Sequence, residues 1–190
     1  LLWSVNPEDT VYNIPFLWRL SSELNVEQLK RALNQLIARH EILRTQYIVD
    51  GNEVKQRVAE NVAADFKEVT TRLTDEQQII QAFMQPFNLE QPSQMRVRYI
   101  HGPHEDYLFM DTHHSINDGM SNTILLADLN ALYQEKSLPN LSLQYKDYSE
   151  WMAHRDLSIQ RRYWLQQFED GVPVLNMPTD YPRPSIKTVS

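Results

Sequence analysis

No cysteine occurs in the chain, which excludes disulfide staples, thiolate nucleophiles and cysteine-ligated zinc. Glycine is scarce, four in 190 residues, and none sits in a phosphate-cradling or dinucleotide-binding pattern. No apolar run reaches membrane-spanning length and no basic segment precedes a short apolar one, so neither a membrane span nor an export signal is expected. Positive charge is outnumbered, with 18 Lys+Arg against 25 Asp+Glu and a net charge of -7. Without a basic stripe, nucleic acid and anionic membrane are not expected partners. What is present, 42% hydrophobic and 23% charged residues, is ordinary for a folded protein and fits a cytoplasmic one. The length suits one substantial core, or one half of a two-lobed protein.

Hydrophobic periodicity predicts alternating strands and helices. Tyr12, Ile14, Phe16, Trp18 and Leu20 have the two-residue period of a strand. Asn25 and Gln28 form a capping-box signature for a helix reaching about His40, with Val26, Leu29, Leu33, Leu36 and Ile37 on one face. Leu43 to Val49 and Glu53 to Val58 flank Asp50-Gly51 as a hairpin. Thr74 and Gln77 open a second helix, with Ile80, Phe83 and Met84 on its apolar face, which must stop near Pro86. Met95 to Ile100 and Tyr107 to Thr112 read as paired strands, followed by a helix from about Asn122 to Gln134. A longer helical stretch, Tyr145 to Phe168, ends at Gly171, and its aromatics are expected in the core. The pattern predicts an α/β two-layer sandwich with a mixed sheet covered by helices. Four prolines between Gly171 and Ser190 predict an extended connection, and both ends look like cuts through a longer polypeptide.

The densest chemistry lies in Asp111-Thr112-His113-His114-Ser115-Ile116-Asn117-Asp118-Gly119, between a predicted strand and a predicted helix. Adjacent side chains in extended backbone point to opposite faces, so only one of His113 and His114 can face a substrate. A neutral imidazole can act as general base near pH 7. Asp118 can hold a histidine tautomer or pair with an arginine, and the Gly119 N–H can help stabilise an oxyanion. The residues alone also allow a plainer reading: an N-capped turn, with histidines that satisfy buried carbonyls. No metal site is expected, because adjacent histidines diverge and His101 and His104 flank a Gly-Pro turn. No serine-hydrolase elbow is present.

The same residues carry a resemblance. His113-His114-x-x-x-Asp118-Gly119 is similar to the HHxxxDG motif of condensation domains in nonribosomal peptide synthetases. Arg39-His40-Glu41-Ile42-Leu43-Arg44-Thr45-Gln46-Tyr47 resembles that family's RHExLRTxF, and Tyr145-Lys146-Asp147-Tyr148-Ser149-Glu150-Trp151 its YxDYAxW. Tyr12 to Pro15 and Leu175 to Pro184 also resemble family segments in the same order. The resemblance implies a chloramphenicol acetyltransferase-like lobe, with residues 1–171 as the N-terminal half of a condensation domain. Residues 172–190 would be the proline-rich connection to a C-terminal lobe not contained here. The implied reaction is amide formation between a donor thioester and the amine of an acceptor aminoacyl thioester. His114 would be catalytic, His113 structural, and Asp118 would hold the loop by a salt bridge, with Arg44 as candidate partner and Gly119 near the tunnel floor. The implied partners are donor and acceptor peptidyl carrier proteins, the C-terminal lobe and a neighbouring adenylation domain. Substrates would ride on 4'-phosphopantetheine arms, with no cofactor bound by this chain. A non-catalytic module that docks carriers, or an epimerising or ester-forming relative, is the alternative. The chain by itself is expected to condense little or nothing.

Overall fold

The computed structural model describes residues 7–51, 53–175 and 177–182. The chain divides into two compact units, Leu1–Ser149 and Glu150–Ser190. In the first, four strands form one sheet in the order β1 (Asn13–Arg19), β6 (Asp106–His113), β5 (Met95–His101), β4 (Asp65–Thr70). The β1–β6 and β5–β6 pairs are antiparallel and the β4–β5 pair is parallel, so the sheet is mixed. β2 (Thr45–Asp50) and β3 (Glu53–Val58) make a separate hairpin, with Gly51 at φ +61° in its turn, a conformation glycine adopts without a Cβ clash.

Two helices cover one face. In α1 (Val26–Arg39), Leu29, Leu33, Leu36 and Ile37 recur at helical spacing and are buried. They share a core with Leu125 and Leu129 of α3 (Gly119–Tyr133) and with Met95, Val97 and Met110 of the sheet. The Asn25 side chain accepts from the Gln28 N–H, as the capping signature predicts. The reciprocal half is not made: Gln28 donates to the Tyr133 carbonyl, and the Tyr133 hydroxyl accepts from the Asn25 N–H. α2 (Glu76–Phe83) lies on the opposite face, where Ile79 packs with Ile100, Tyr107 and Phe109. Alternation along β6 separates the two cores: Phe109 belongs to one and Met110 to the other.

Several elements differ from expectation. β4 was not predicted, because its apolar residues, Phe66 and Val69, sit three apart around exposed Lys67 and Glu68. The N-cap of α2 is Asp75 rather than Thr74, accepting from the Gln78 N–H, which makes Ile79 the fully buried residue of that helix. Residues 41–44 form a 3-10 turn, so the hairpin begins at Thr45. α3 begins three residues before the expected Asn122, at Gly119.

The expected long helix is two, α4 (Tyr145–His154) and α5 (Ser158–Gln167). Asp156 accepts from the Ser158 N–H, a local bond that competes with helix continuation. The aromatics of this stretch are not core residues: Tyr148, Trp151, Tyr163, Trp164 and Phe168 are 42–58% exposed. Tyr163, Trp164 and Phe168 pack on one another. Of the expected connection 172–190, Asn176 and residues 183–190 lie outside the described residues. No described helix is long and apolar enough to cross a membrane.

Candidate active site

β6 runs out at His113, and α3 starts at Gly119 with Asp118 as its N-cap. The turn between them alternates in burial. His113, Ile116 and Asn117 point inward, while His114, Ser115 and Asp118 are exposed. The two histidines therefore separate, His113 as the last residue of the strand and His114 as the first of the turn.

His113 is 7% exposed, with its ring between Phe87 and Tyr12. Its Nδ1 lies 2.9 Å from the Ser115 Oγ and accepts from the Ser115 N–H at 3.1 Å. The proton of the neutral ring consequently sits on Nε2. Burial, with the neighbouring His114, holds its pKa below the ordinary 6.5. Asn117 donates to the Thr112 hydroxyl at 3.0 Å, and Ile116 enters the core beside α1. These inward contacts fix the turn.

His114, by contrast, is exposed. Its backbone N–H donates to the Tyr12 carbonyl at 2.8 Å, while its side chain borders a cleft of about 400 Å³. Asp118, Ser121, His40, Leu143 and Tyr145 line the same cleft. A larger groove of about 860 Å³ lies over α1 and the C-terminal end of α3, and no histidine lines it.

Asp118 Oδ1 accepts from both the Ser121 hydroxyl and the Ser121 N–H, each at 2.7 Å. These bonds hold the carboxyl below its ordinary pKa. The salt bridge considered between Asp118 and Arg44 is not formed. Arg44 donates to the Ala59 carbonyl at 2.6 Å and lies 3.6 Å from Glu41, because the 3-10 turn directs it toward β3. Asp118 takes its partners from its own helix instead. A Cβ on Gly119 would meet no atom within 4 Å, so the described residues do not crowd that position.

Asp128 and Arg96, which were not singled out from sequence, bind residues that were. Asp128 of α3 binds Arg39 Nε at 2.9 Å and His40 Nε2 at 2.8 Å. Burial raises its pKa, but these two bonds outweigh it and hold the carboxyl below its ordinary value. The Arg39-His40 pair thereby ties the end of α1 to α3 at the cleft. Beneath His113 lies a second network. Asp111 is 0% exposed, accepts from Asn13 at 2.7 Å and stands 3.3 Å from Arg96. Arg96 stacks on Phe87 and donates to the Gln85 and Pro86 carbonyls. Burial, opposed by Arg96, raises the Asp111 carboxyl to about 6. His101, weighed as a metal ligand, stands instead between Glu68 and Asp106 at the other end of β6.

The arrangement offers one accessible imidazole held on a fixed backbone, with a helix N-terminus at the same cleft. That suits orientation of a nucleophile and transfer of its proton, chemistry in which positioning can supply several kcal/mol.

Comparison with known proteins places this geometry among relatives. The sequence profile described as "Condensation domain" matches residues 2–190. Gramicidin S synthase 2 of Brevibacillus brevis is 41% identical over 184 residues, which cover 94% of this chain and 4% of that protein. Bacitracin synthase 3 of Bacillus licheniformis is 37% identical over 183 residues, covering 94% of this chain and 3% of that protein. The chain thus spans only a few per cent of these relatives' length. Among solved structures, the X-domain from teicoplanin biosynthesis, in complex with OxyB, superposes with a TM-score of 0.79 at 24% identity. It is matched over 95% of this chain and 44% of its own. The epimerization domain from the third module of tyrocidine synthetase B gives 0.78 at 19%, over 96% and 46%. At such identities these likenesses speak for the fold.

Proposed function

Since this chain belongs to the condensation-domain family of nonribosomal peptide synthetases, we propose that it supplies the histidine-bearing half of a site that forms an amide between two carrier-bound acyl groups. The observation that carries this reading is the divergence of the two histidines, His113 buried and His114 open to the cleft. In the reaction, the acceptor amine attacks the donor thioester carbonyl. The C–N bond forms, the C–S bond breaks and the donor's pantetheine thiol leaves. His114 takes the proton that the amine must lose and returns it to the thiolate, or holds the amine neutral and aligned for attack. His113 and Asp118 support the turn, one by inward packing and the other by capping α3. Gly119 leaves room for substrate beside the helix N-terminus. Arg44 supports the site from the 3-10 turn below, without contact to Asp118.

On this reading residues 1–171 are the N-terminal lobe and 172–190 lead toward a C-terminal lobe that closes the cleft. Donor and acceptor peptidyl carrier proteins deliver substrates on 4'-phosphopantetheine arms, with an adenylation domain as neighbour. The matched solved structures, of which this chain covers less than half, support the need for a second lobe.

The test is His114→Ala in the complete two-lobed domain, given both loaded carriers, with dipeptidyl thioester followed by mass spectrometry. General-base help is typically worth about 10²–10⁴ in rate, and a loss of that size is expected with an unchanged melting curve. Turnover within a few-fold of wild type would remove His114 from the chemistry and leave a carrier-docking module as the better reading.

A further inference from the structure

Tyr47 stands where the RHExLRTxF pattern ends in phenylalanine, and its extra atom has a specific partner. The Tyr47 hydroxyl donates to the Ser115 carbonyl at 3.1 Å, across 68 residues of sequence. Ser115 directly follows His114 and is held at its other polar atoms as well. Its N–H and Oγ both meet His113 Nδ1, at 3.1 and 2.9 Å. The next N–H, of Ile116, donates to the His113 carbonyl at 3.1 Å. On the preceding side, the His113 N–H donates to the Gln94 carbonyl and the His114 N–H to the Tyr12 carbonyl, at 3.0 and 2.8 Å. Every bond but one in this set comes from the turn itself or from the backbone just before β1 and β5. The exception is the tyrosine hydroxyl, a side-chain strut from the neighbouring hairpin.

The His114 side chain is exposed and no described residue hydrogen-bonds it, so its aim depends on its backbone. A backbone tied on one side only can pivot about the free side. An orienting contact need shift by only a fraction of an ångström to lose rate. From this geometry we infer that Tyr47 is a positioning residue for His114, bracing the peptide after it against the pull of a bound substrate. The inference rests on the role of His114 proposed above. It adds a group outside the HHxxxDG segment that acts on the reaction through Ser115.

Tyr47→Phe removes only the hydroxyl and restores the residue of the pattern, so the fold is expected to survive. In the complete two-lobed domain with both loaded carriers, kcat should fall about 2- to 12-fold, the range carried by one neutral hydrogen bond. KM for either carrier-bound substrate should stay within about twofold, because no substrate contact is lost. Hydrogen exchange of a peptide spanning 113–117 should quicken, and the doubly changed Tyr47→Phe, His114→Ala protein should be no slower than His114→Ala alone. An unchanged kcat beside a crippled His114→Ala overturns the inference and leaves the function intact. So does a loss that multiplies with that of His114→Ala, since Tyr47 would then act elsewhere. If His114→Ala proves fully active, the proposed function fails instead. The exchange measurement still decides the strut, which unaltered exchange at 113–117 would refute.

Discussion

Replacing Asp111 by asparagine tests the physical account of the layer beneath the histidines. Asp111 is 0% exposed, and its charge is opposed by burial and favoured by Arg96 and Asn13. Burial prevails, raising the carboxyl from its ordinary 3.8 to about 6. In the unfolded chain the group ionises near its ordinary value, so between pH 4 and pH 6 unfolding releases a proton. Stability must therefore fall as pH rises through that window, and the deficit persists above it. A shift of that size corresponds to about 3 kcal/mol. Asparagine keeps the shape and does not titrate, so the wild-type minus Asp111→Asn difference isolates this one group from the other titrating residues. Urea unfolding at half-unit steps from pH 3.5 to 8 supplies the difference curve. The wild type should lose about 3 kcal/mol relative to the variant over that range, most of it between pH 4 and 6, at equal m-values. A flat curve would mean that Asp111 titrates as if exposed. A rising one would mean that Arg96 outweighs burial, and either result would refute the reasoning.

Two further expectations follow from the same packing. His113→Ala should act through stability: deleting an imidazole wedged between Phe87 and Tyr12 should cost about 2–4 kcal/mol in chemical denaturation. Because burial keeps the His113 pKa low, its contribution is complete above pH 6.5 and is lost as pH falls below it, and the variant should lack that acid slope. Leu33→Ala, at a fully buried position of α1, should lower the unfolding free energy by about 2–5 kcal/mol in the same assay, and a smaller change would place α1 outside the main core.

Much of the first unit was legible because its patterns are local. The Asn25 cap and the spacing of Leu29, Leu33, Leu36 and Ile37 define α1 without reference to anything else. The end of β6 at His113 also separates it from His114, which opens the turn and is exposed, and this divergence is the essential feature of the site. Part of what escaped depends on partners distant in sequence. Nothing near Tyr47 reveals Ser115, and nothing near Asn13 reveals Asp111, 98 residues away. A salt bridge for Asp118 was sought in Arg44 because opposite charges are easy to pair on paper. The Ser121 hydroxyl and N–H, three residues on, supply the partner instead. β4 was overlooked because a parallel edge strand with one wetted side has little apolar period to detect. The aromatics of α4 and α5 were assigned to a core because aromatic residues usually occupy one, and spacing cannot reveal that they stay half exposed.

The register of β1 on β6 has a consequence for how the protein is made. Asn13 lies opposite His113, so the two strands that frame the histidine turn are synthesised about a hundred residues apart. At a typical 5–20 residues per second, roughly 5 to 20 s separates them on the ribosome. Closing a loop of that length costs about 4 kcal/mol of chain entropy before any contact in the pair repays it. α1 and the β2–β3 hairpin can assemble during that wait, while β1 remains an unmatched edge open to wrong pairings. The histidine turn thus cannot be framed by both strands until β6 has been made, and a stall in translation before β6 would release a polypeptide that holds β1, α1 and the hairpin sequence without the His113-His114 turn.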